Sequence, residues 1–470
     1  MSVHIRTLSV FYYLLCLPLT WASASQGIAL LSTQRIDIVF VILSEDSSYH
    51  RQTAERLSDN LRRQSDVLNK ARPTVYSVAH DFVHIPGAWA ILPILSSLAA
   101  KHKNPSTWFF FCEDSTGVDL GRLHKLLRPY NSSEEHFLGY QLRDVEPTII
   151  HHFDESRSLA YPDMAAGFII SLATIKKASK AWSNASVNDF VIDRQYEFAK
   201  FLLEACNGPC LQHPSEMCLL EKQGSCASWA KMQAPSCDGR ERLDQVVFAV
   251  KTCTKFHEER VSVVKRTWHR DASTVLFFSD SRNDSIPTID LGIRNTEKGH
   301  CTKTMKILDY IASDEKYSTK KWLLLADDDT LLSVPRLLNF LSCFSSDETM
   351  VVGERYGFGV LSGHGYNYPT GGSGIVFSMA AVRALVKAQC TCPSNDSPDD
   401  MMLGICLQEL GIPIVHSPLF HQARPVDYSA DLLAHQQPIS FHKYWMLDPI
   451  EAYERWLKDV DVKGHVHDEH

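Results

Sequence analysis

One strand, turn and helix pattern occurs twice in this sequence, and the repetition limits the folds that the chain can adopt. Residues 108–127 (WFFFCEDSTGVDLGRLHKLL) align without a gap on residues 322–341 (WLLLADDDTLLSVPRLLNFL). Each segment follows an apolar run typical of a buried strand, at residues 36–43 and 246–250. Strand and helix patterns alternate throughout both halves, as in α/β proteins. We therefore predict an α/β fold of two tandem Rossmann-like domains that arose by duplication.

Length and composition agree with this architecture. A chain of 470 residues is long enough for two or three domains, and 44% apolar and 22% charged residues are typical of folded globular proteins. The net charge of −8 argues against a nucleic-acid-binding protein. We predict a first domain over residues 27–203, a cysteine-rich linker over 204–240, a second domain over 241–455 and a polar tail over 456–470.

The N-terminus has the pattern of a secretory signal peptide. The apolar run at residues 8–21 follows His4 and Arg6 and precedes the small residues Ala-Ser-Ala at 22–24. This run is shorter than the roughly 20 residues of a bilayer-spanning helix. We therefore predict that residues 1–24 are a cleaved signal peptide, with a type II membrane anchor as the alternative. The rest of the chain is expected in the lumen of the secretory pathway.

Cysteines, sequons and the C-terminus agree with that compartment. One of the 13 cysteines lies in the predicted signal peptide, and five lie in the linker without any Cys-x-x-Cys pair, which favours disulfides over zinc. N-glycosylation sequons begin at Asn131, Asn184 and Asn283. The last four residues, HDEH at 467–470, are similar to the retrieval signal HDEL, although a solvated polar tail is an equal alternative. We predict the lumen of the endoplasmic reticulum.

An acidic triplet identifies the half that carries chemistry. Asp327, Asp328 and Asp329 directly follow an apolar strand pattern, whereas the aligned residues of the first half, 113–115, are Glu-Asp-Ser. Three adjacent carboxylates repel one another unless a cation compensates their charge. The end of a strand is also where α/β sheets bind ligands, so the triplet predicts Mg²⁺ or Mn²⁺ bound to phosphate oxygens. Capping of the next helix is the alternative.

Further motifs of the second half add candidate groups. Asp399 and Asp400 lie in the first turn of a predicted helix, where an ionised carboxylate can act as a general base or simply cap the helix. The small residues at 370–374 allow backbone to approach a bulky ligand, and no Gly-Lys-Ser/Thr follows to make a phosphate loop. His416 and His421 are candidate metal ligands.

At this point the second half resembles the Fringe-type β-1,3-glycosyltransferases. The resemblance covers roughly residues 244–450, and several motifs follow in the order of that family. These are residues 250–257 (VKTCTKFH), Arg260, Thr267-Trp268, residues 277–280 (FFSD), Lys303, the acidic triplet, residues 370–374, residues 398–400 and residues 419–421 (LFH). The resemblance implies GT-A-like, nucleotide-sugar-binding domains, of which the C-terminal one is catalytic and the N-terminal one degenerate.

The resemblance also implies a role for each candidate residue. Asp329 and His421 would bind the metal, Mn²⁺ or Mg²⁺, and Asp400 would be the catalytic base. Gly371 and Gly372 would lie against the donor sugar. The nucleotide would contact a larger set of residues, namely Thr252, Arg260, Asp280, Lys303, Asp327 and Asp328.

A narrower similarity suggests the substrates. Residues 417–428 (SPLFHQARPVDY) and 438–442 (PISFH) match the family members that transfer glucose from UDP-glucose, with inversion, in β-1,3 linkage to O-linked fucose on folded thrombospondin type 1 repeats. Transfer of N-acetylglucosamine or galactose to the same fucose, and a non-catalytic binder of fucosylated repeats, are the alternatives. Residues 27–203 are expected to recognise or orient the repeat.

Overall fold

We describe the chain from a computed structural model over residues 36–154, 159–183, 189–222, 224–232, 237 and 241–458. The predicted signal peptide, the sequon at Asn184 and residues 459–470 of the predicted tail lie outside these residues. None of the helices within the described ranges is long and apolar enough to cross a membrane.

The first half contains short strands and helices in alternation. Its strands are β1 (Asp37–Ile42), β2 (Thr74–Ser77), β3 (Thr107–Cys112), β4 (Gly117–Val118), β5 (Phe137–Gly139), β6 (Gln141–Leu142), β7 (Tyr161–Pro162), β8 (Phe168–Ser171), β9 (Phe190–Val191), β10 (Met217–Cys218) and β11 (Ser228–Trp229). Its helices are α1 (Ser48–Val67), α2 (Val78–Asp81), α3 (Leu95–Lys101), α4 (Leu120–Leu127), α5 (Leu172–Trp182) and α6 (Arg194–Glu204).

The second half continues the same alternation. Its strands are β12 (Val246–Lys251), β13 (Val275–Ser279), β14 (Thr288–Asp290), β15 (Trp322–Asp327), β16 (Thr330–Leu332), β17 (Val351–Gly353), β18 (Arg355–Phe358), β19 (Tyr366–Pro369), β20 (Ile375–Ser378), β21 (Ile414–His416), β22 (Phe420–His421) and β23 (Ser440–His442). Its helices are α7 (Arg260–Arg266), α8 (Cys301–Ser313), α9 (Val334–Leu341), α10 (Met379–Ala388), α11 (Asp399–Glu409), α12 (Ala430–Ala434) and α13 (Pro449–Trp456).

The central sheets of the two halves share one strand order. In the first half the order is β2-β1-β3-β8-β5, with β1 parallel to both neighbours and β8 antiparallel to both. The second half has the same order and strand directions in β13-β12-β15-β20-β17, where β12 is parallel to both neighbours and β20 is antiparallel to both. Strands β14 and β21 are added at its two edges. The predicted α/β class is therefore confirmed, and the repeated order is what a duplication predicts.

Both faces of each central sheet are buried, which explains the unbroken apolar runs in the sequence. On β15, Trp322 and Leu324 belong to one hydrophobic cluster, while Leu323 and Leu325 belong to another on the opposite face. The aligned strand β3 divides its aromatic residues between two clusters in the same way. The carboxyl end of each central strand is thereby fixed between two packed layers.

The cysteine-rich segment is partly folded onto the first half. Strand β10 pairs with β11, which in turn pairs with β4. The described disulfides join Cys218 to Cys226, Cys237 to Cys343, Cys301 to Cys392 and Cys390 to Cys406, which confirms the prediction of disulfides. The Cys237–Cys343 bond ties this segment to the second half.

The two halves are joined through buried polar contacts and one shared sheet. Strand β9 of the first half adds to β18, which pairs with β19, so that a three-stranded sheet crosses the boundary. Within the described residues, two ion pairs across this boundary are buried: Glu45 with Arg355, at 3.0 Å between Oε1 and Nη2, and Asp163 with His435, at 2.8 Å. These contacts hold the second half in a fixed place against the first.

Candidate active site

The acidic triplet lies where two parallel central strands end side by side. Lys251, the last residue of β12, is in register with Asp327, the last residue of β15. The turn is closed by Thr330, whose hydroxyl accepts from the Asp327 N–H at 3.1 Å and donates to the Gly372 carbonyl at 2.8 Å. The triplet therefore faces the small-residue loop 370–374, as expected for a ligand site at a strand end.

Asp327 and Asp329, with His442, form a cluster that could hold a metal ion, because one ligand atom from each lies within 4.8 Å of the others. His442 is carried by β23, which pairs with β16 directly after the triplet, and its Nε2 lies 3.1 Å from Asp329 Oδ1. The Gln422 carbonyl lies 3.1 Å from the other ring nitrogen, the usual way of orienting a ligating histidine. Two carboxylates and an imidazole suit Mn²⁺.

His421, the predicted second metal ligand, lies elsewhere, and the prediction is wrong about its position. It is in register with Phe441 and stacks on that ring at 4.7 Å, with its Nε2 3.1 Å from Gln436. Successive side chains of a strand point to opposite faces, so His442 faces the triplet and His421 faces the interior. Burial lowers the pKa of His421 to about 3.

His416, the other candidate histidine, is also away from the triplet. It lies against the first half, where its backbone N–H donates to Glu45 and its Nδ1 accepts from the Arg355 N–H at 3.2 Å. Burial lowers its pKa to about 3. The candidate ligand that the sequence analysis missed, His442, ends the PISFH segment that carried the narrower similarity. The sequence therefore contained this histidine in a quoted motif, but it did not show that the imidazole lies beside Asp329.

Asp328 and Asp329 are fixed by two residues that the sequence placed in the nucleotide pocket. Thr252 Oγ1 donates to Asp328 at 2.7 Å, and Arg260 Nη1 lies 3.1 Å from Asp328 and 2.8 Å from Asp329. Burial raises the pKa of Asp328 to about 6. Burial opposes ionisation of Asp329 too, but the hydrogen bond and charge of His442 and the charge of Arg260 hold its pKa at about 2. Asp329 is therefore ionised at neutral pH.

The remaining predicted nucleotide residues lie around the end of β12. Lys303 is buried and donates from Nζ to the Thr252 carbonyl at 2.5 Å, and burial lowers its pKa. Asp280 follows β13 and accepts from the backbone and hydroxyl of Thr254 at 2.8 and 2.9 Å. The structure thus brings Thr252, Arg260, Asp280 and Lys303 to the edge of the sheet that carries the triplet.

The small-residue loop lies against the metal-binding cluster. A Cβ atom at Gly372 would lie 2.2 Å from the His442 ring, so only glycine allows this approach. A Cβ at Gly371 would lie 3.8 Å from Lys251 Nζ. Gly374 has a φ of 87°, which favours glycine, and the aligned Gly167 of the first half has a φ of 80°. The loop therefore closes one side of the site with backbone alone.

Lys251 connects the triplet to the second acidic pair, and the sequence analysis did not assign it a role. It is buried, with Nζ 3.0 Å from Asp327 Oδ1 and 2.5 Å from Asp399 Oδ2. Thr304 also donates to Asp399, at 2.7 Å. Burial disfavours the charge of Asp399, but Lys251 holds its pKa at about 2. A single lysine at a strand end does not predict such a role from the sequence, because its two carboxylate partners are known only from the structure.

Asp400 differs in its environment from its neighbour. It lies in the first turn of α11, and its Oδ1 accepts from the Met401 N–H at 2.8 Å. Burial and the negative charge of Asp399 raise the pKa of Asp400 to about 6. A carboxylate with a pKa just below neutrality is ionised at pH 7 and still basic enough to take a proton. Of the pair, Asp400 has the properties of a general base, and Asp399 is engaged by Lys251.

The corresponding turn of the first half is neutralised by side chains of the same half. Glu113 lies 3.3 Å from Arg194, and Asp114 lies 2.7 Å from His50 Nδ1. Among the described residues, the metal-capable grouping is that of the second half. Of the predicted glycosylation sites, Asn131 is exposed at a turn, and Asn283 is half-buried with its amide 3.3 Å from His257 Nδ1.

Comparison with known proteins agrees with this geometry. The family model described as Fringe-like matches residues 241–463. The human protein named "Beta-1,3-glucosyltransferase" is 44% identical over 428 residues, which cover 90% of this chain and 85% of that protein. The mouse protein of the same name is 44% identical over 425 residues, 90% of this chain and 86% of its own. Zebrafish (Danio rerio) "Beta-1,3-N-acetylglucosaminyltransferase manic fringe" is 27% identical over 203 residues, 38% of this chain and 56% of its own length.

Proposed function

This chain belongs to the β-1,3-glucosyltransferases of the Fringe-like family, and we propose that it transfers glucose from UDP-glucose, with inversion, to O-linked fucose on folded thrombospondin type 1 repeats. The observation that supports this most directly is the pairing of a metal-capable cluster with a separate, weakly acidic carboxylate, Asp400. The lumen of the endoplasmic reticulum, reached through cleavage of residues 1–24, is the proposed location.

Asp327, Asp329 and His442 would hold the cation, Mn²⁺ or Mg²⁺, which supplies charge stabilisation for the diphosphate leaving group. Arg260 already lies between Asp328 and Asp329 and is placed to keep both carboxylates ordered. Loop 370–374 presents backbone to the donor sugar, since a side chain at Gly372 would displace His442.

Asp400 accepts the proton of the fucose 3-hydroxyl as that oxygen attacks the anomeric carbon. The new carbon–oxygen bond forms on the face opposite the UDP oxygen, whose bond to the same carbon breaks, so an α-linked donor yields a β-1,3 product. The proton then leaves Asp400 for solvent. Asp399 is the weaker base for this step, because Lys251 and Thr304 both donate to its Oδ2 and the charge of Lys251 holds its pKa at about 2.

The first half is proposed to be a degenerate GT-A-like domain without its own catalysis. Its acidic turn lacks the third carboxylate and is neutralised by Arg194 and His50. A non-catalytic role for the whole chain is disfavoured, because a binding protein has no use for both acidic sites of the second half.

A donor panel tests the proposal. UDP-glucose, UDP-N-acetylglucosamine and UDP-galactose are offered with an O-fucosylated thrombospondin repeat, with Mn²⁺ or with EDTA. We expect transfer of glucose alone, lost in EDTA and lost in Asp400→Asn. The matched control is Asp396→Asn, which removes an exposed carboxylate four residues away. Transfer of another sugar would contradict the donor, and absence of transfer with every donor would contradict the enzymatic assignment.

A further inference from the structure

A row of aromatic side chains crosses the sheet that both halves share. Phe190 of β9 is in register with Phe358 of β18, and Phe358 is in register with Tyr366 of β19. The ring centroids are 5.0 Å apart for Phe190 and Phe358, and 5.7 Å for Phe358 and Tyr366. Because directly paired residues share one face of a sheet, the three rings form a continuous row on that face.

One end of the row lies on the strand that packs against the helix of the proposed base. Tyr368 follows on the same face of β19, 6.5 Å from Tyr366 between ring centroids. Helix α11, which carries Asp400, packs so closely on β19 that a Cβ at Gly404 would lie 2.5 Å from the Tyr368 Cβ. Burial raises the pKa of both tyrosines, and the charge of Asp400 adds to the effect. Of the three paired rings, Tyr366 therefore lies on the strand that packs against the helix of Asp400.

The other end of the row belongs to the first half and is partly exposed to solvent. Phe190 is 37% exposed, a high value for a phenylalanine on a paired strand, and Phe358 and Tyr366 are half-buried. The first half also clamps the β18–β19 hairpin from its other face. Trp89 Nε1 donates to Asn367 at 2.8 Å, and Arg355 forms the buried ion pair with Glu45. The row is thus a rigid platform built by both halves.

We propose that the polypeptide flanking the acceptor sugar docks on the row Phe190–Phe358–Tyr366, so that the first half contributes directly to acceptor recognition through Phe190. This inference rests on the proposed function, since it takes the hydroxyl at Asp400 as the acceptor. A single sugar covers one ring, Tyr366, whereas the row continues for two more rings away from the base. This surface is continuous with the strand beside the helix of Asp400, so a polypeptide that carries the sugar can extend along it, and rigid aromatic rings are typical anchors for polypeptide.

The test compares two acceptors in one enzyme. Wild type and Phe190→Ala are assayed for kcat/KM with an O-fucosylated thrombospondin repeat and with a small aryl α-fucoside. We expect the loss on the repeat to exceed the loss on the fucoside at least fivefold, mainly through KM. Phe190→Tyr, which keeps the ring, is expected to retain most of the wild-type kcat/KM on the repeat. Phe153→Ala, at a 61% exposed phenylalanine of the same half, is the matched control and is expected to behave as wild type.

The outcomes separate this inference from the proposed function. If wild type transfers glucose to neither acceptor, the proposed function fails. If wild type is active and Phe190→Ala lowers kcat/KM equally for both acceptors, or for neither, the docking proposal is overturned while the proposed function stands. UDP-glucose hydrolysis and the thermal midpoint, measured on the same samples, report whether the donor site and fold are intact. Should Phe190→Ala not fold, Phe358→Leu gives the same comparison from the middle of the row.

Discussion

Removal of the Lys251 charge tests whether the two acidic sites are held together by one buried cation. In Lys251→Met the side-chain volume is nearly kept, but Asp327 and Asp399 lose the ammonium that lies 3.0 and 2.5 Å from them. The pKa of Asp399 is about 2, against an ordinary value of 3.8. This difference corresponds to a contribution of about 2 kcal/mol to the unfolding free energy from that carboxylate alone. With Asp327 also left without its partner, we expect a loss of about 3–5 kcal/mol in unfolding free energy at pH 7.

The pH dependence of this loss has a definite sign. In wild type the pKa of Asp399 is depressed, so its contribution is complete above about pH 4 and disappears as the pH falls toward 2. In Lys251→Met the buried Asp399 keeps the Thr304 hydrogen bond but loses its ion pair, so burial is expected to raise its pKa above the ordinary value. The penalty is therefore largest at pH 7 and shrinks as the carboxylate becomes protonated at lower pH.

Urea unfolding followed by circular dichroism at pH 7 and at pH 4.5 measures both effects. The control is Lys255→Met, which removes an exposed lysine four residues away and is expected to change stability by less than about 0.5 kcal/mol. The double variant Lys251→Met, Asp399→Asn should recover part of the loss, because one unpaired charge is gone. A loss below about 1 kcal/mol at pH 7, or one that is equal at both pH values, would refute the reasoning.

Two further predictions concern the metal and the base. His442→Ala should weaken Mn²⁺ binding by about 10–100-fold, measured by electron paramagnetic resonance of the free ion. His421→Ala should instead lower thermal stability and leave the Mn²⁺ affinity within about threefold of wild type. The reverse result would restore His421 as the ligand. The rate kcat/KM should fall about tenfold between pH 7 and pH 5, because the carboxylate of Asp400, with a pKa of about 6, must be ionised to accept a proton. A flat profile over this range, with the fold intact by circular dichroism, would exclude Asp400 as the base.

The sequence predicted the position of a candidate residue best where that position is fixed by its neighbours along the chain. The acidic triplet is a local pattern at a strand end, and Asp400 lies in a helix first turn that its own flanking residues define. Both were placed correctly, because local propensity and the packed sheet agree there. The repeated segments, 108–127 and 322–341, likewise indicated an α/β repeat before any strand order was known.

The remainder depends on pairings between distant residues, which local patterns do not encode. His442 reaches Asp329 only because β23 pairs with β16, and the alternation of that strand turns His421 away. The choice between two histidines was a question of strand register, which one sequence does not contain. Disulfide pairing also depends on distant residues, since Cys237 is bonded to Cys343, which lies 106 residues away in the sequence.

The contacts between the halves give a physical reason for keeping a domain without a metal-capable turn. Glu45, Trp89 and β9 all contact the β18–β19 hairpin, which lies beside the base helix α11. A buried ion pair costs stability unless both partners stay in place, so Glu45 and Arg355 tie the position of the hairpin to the first half. Loss of the first half would therefore leave Arg355 unpaired and the hairpin without its edge strand. The second half is in this sense structurally incomplete alone, and we propose that the first half is retained because it holds the β18–β19 hairpin in place.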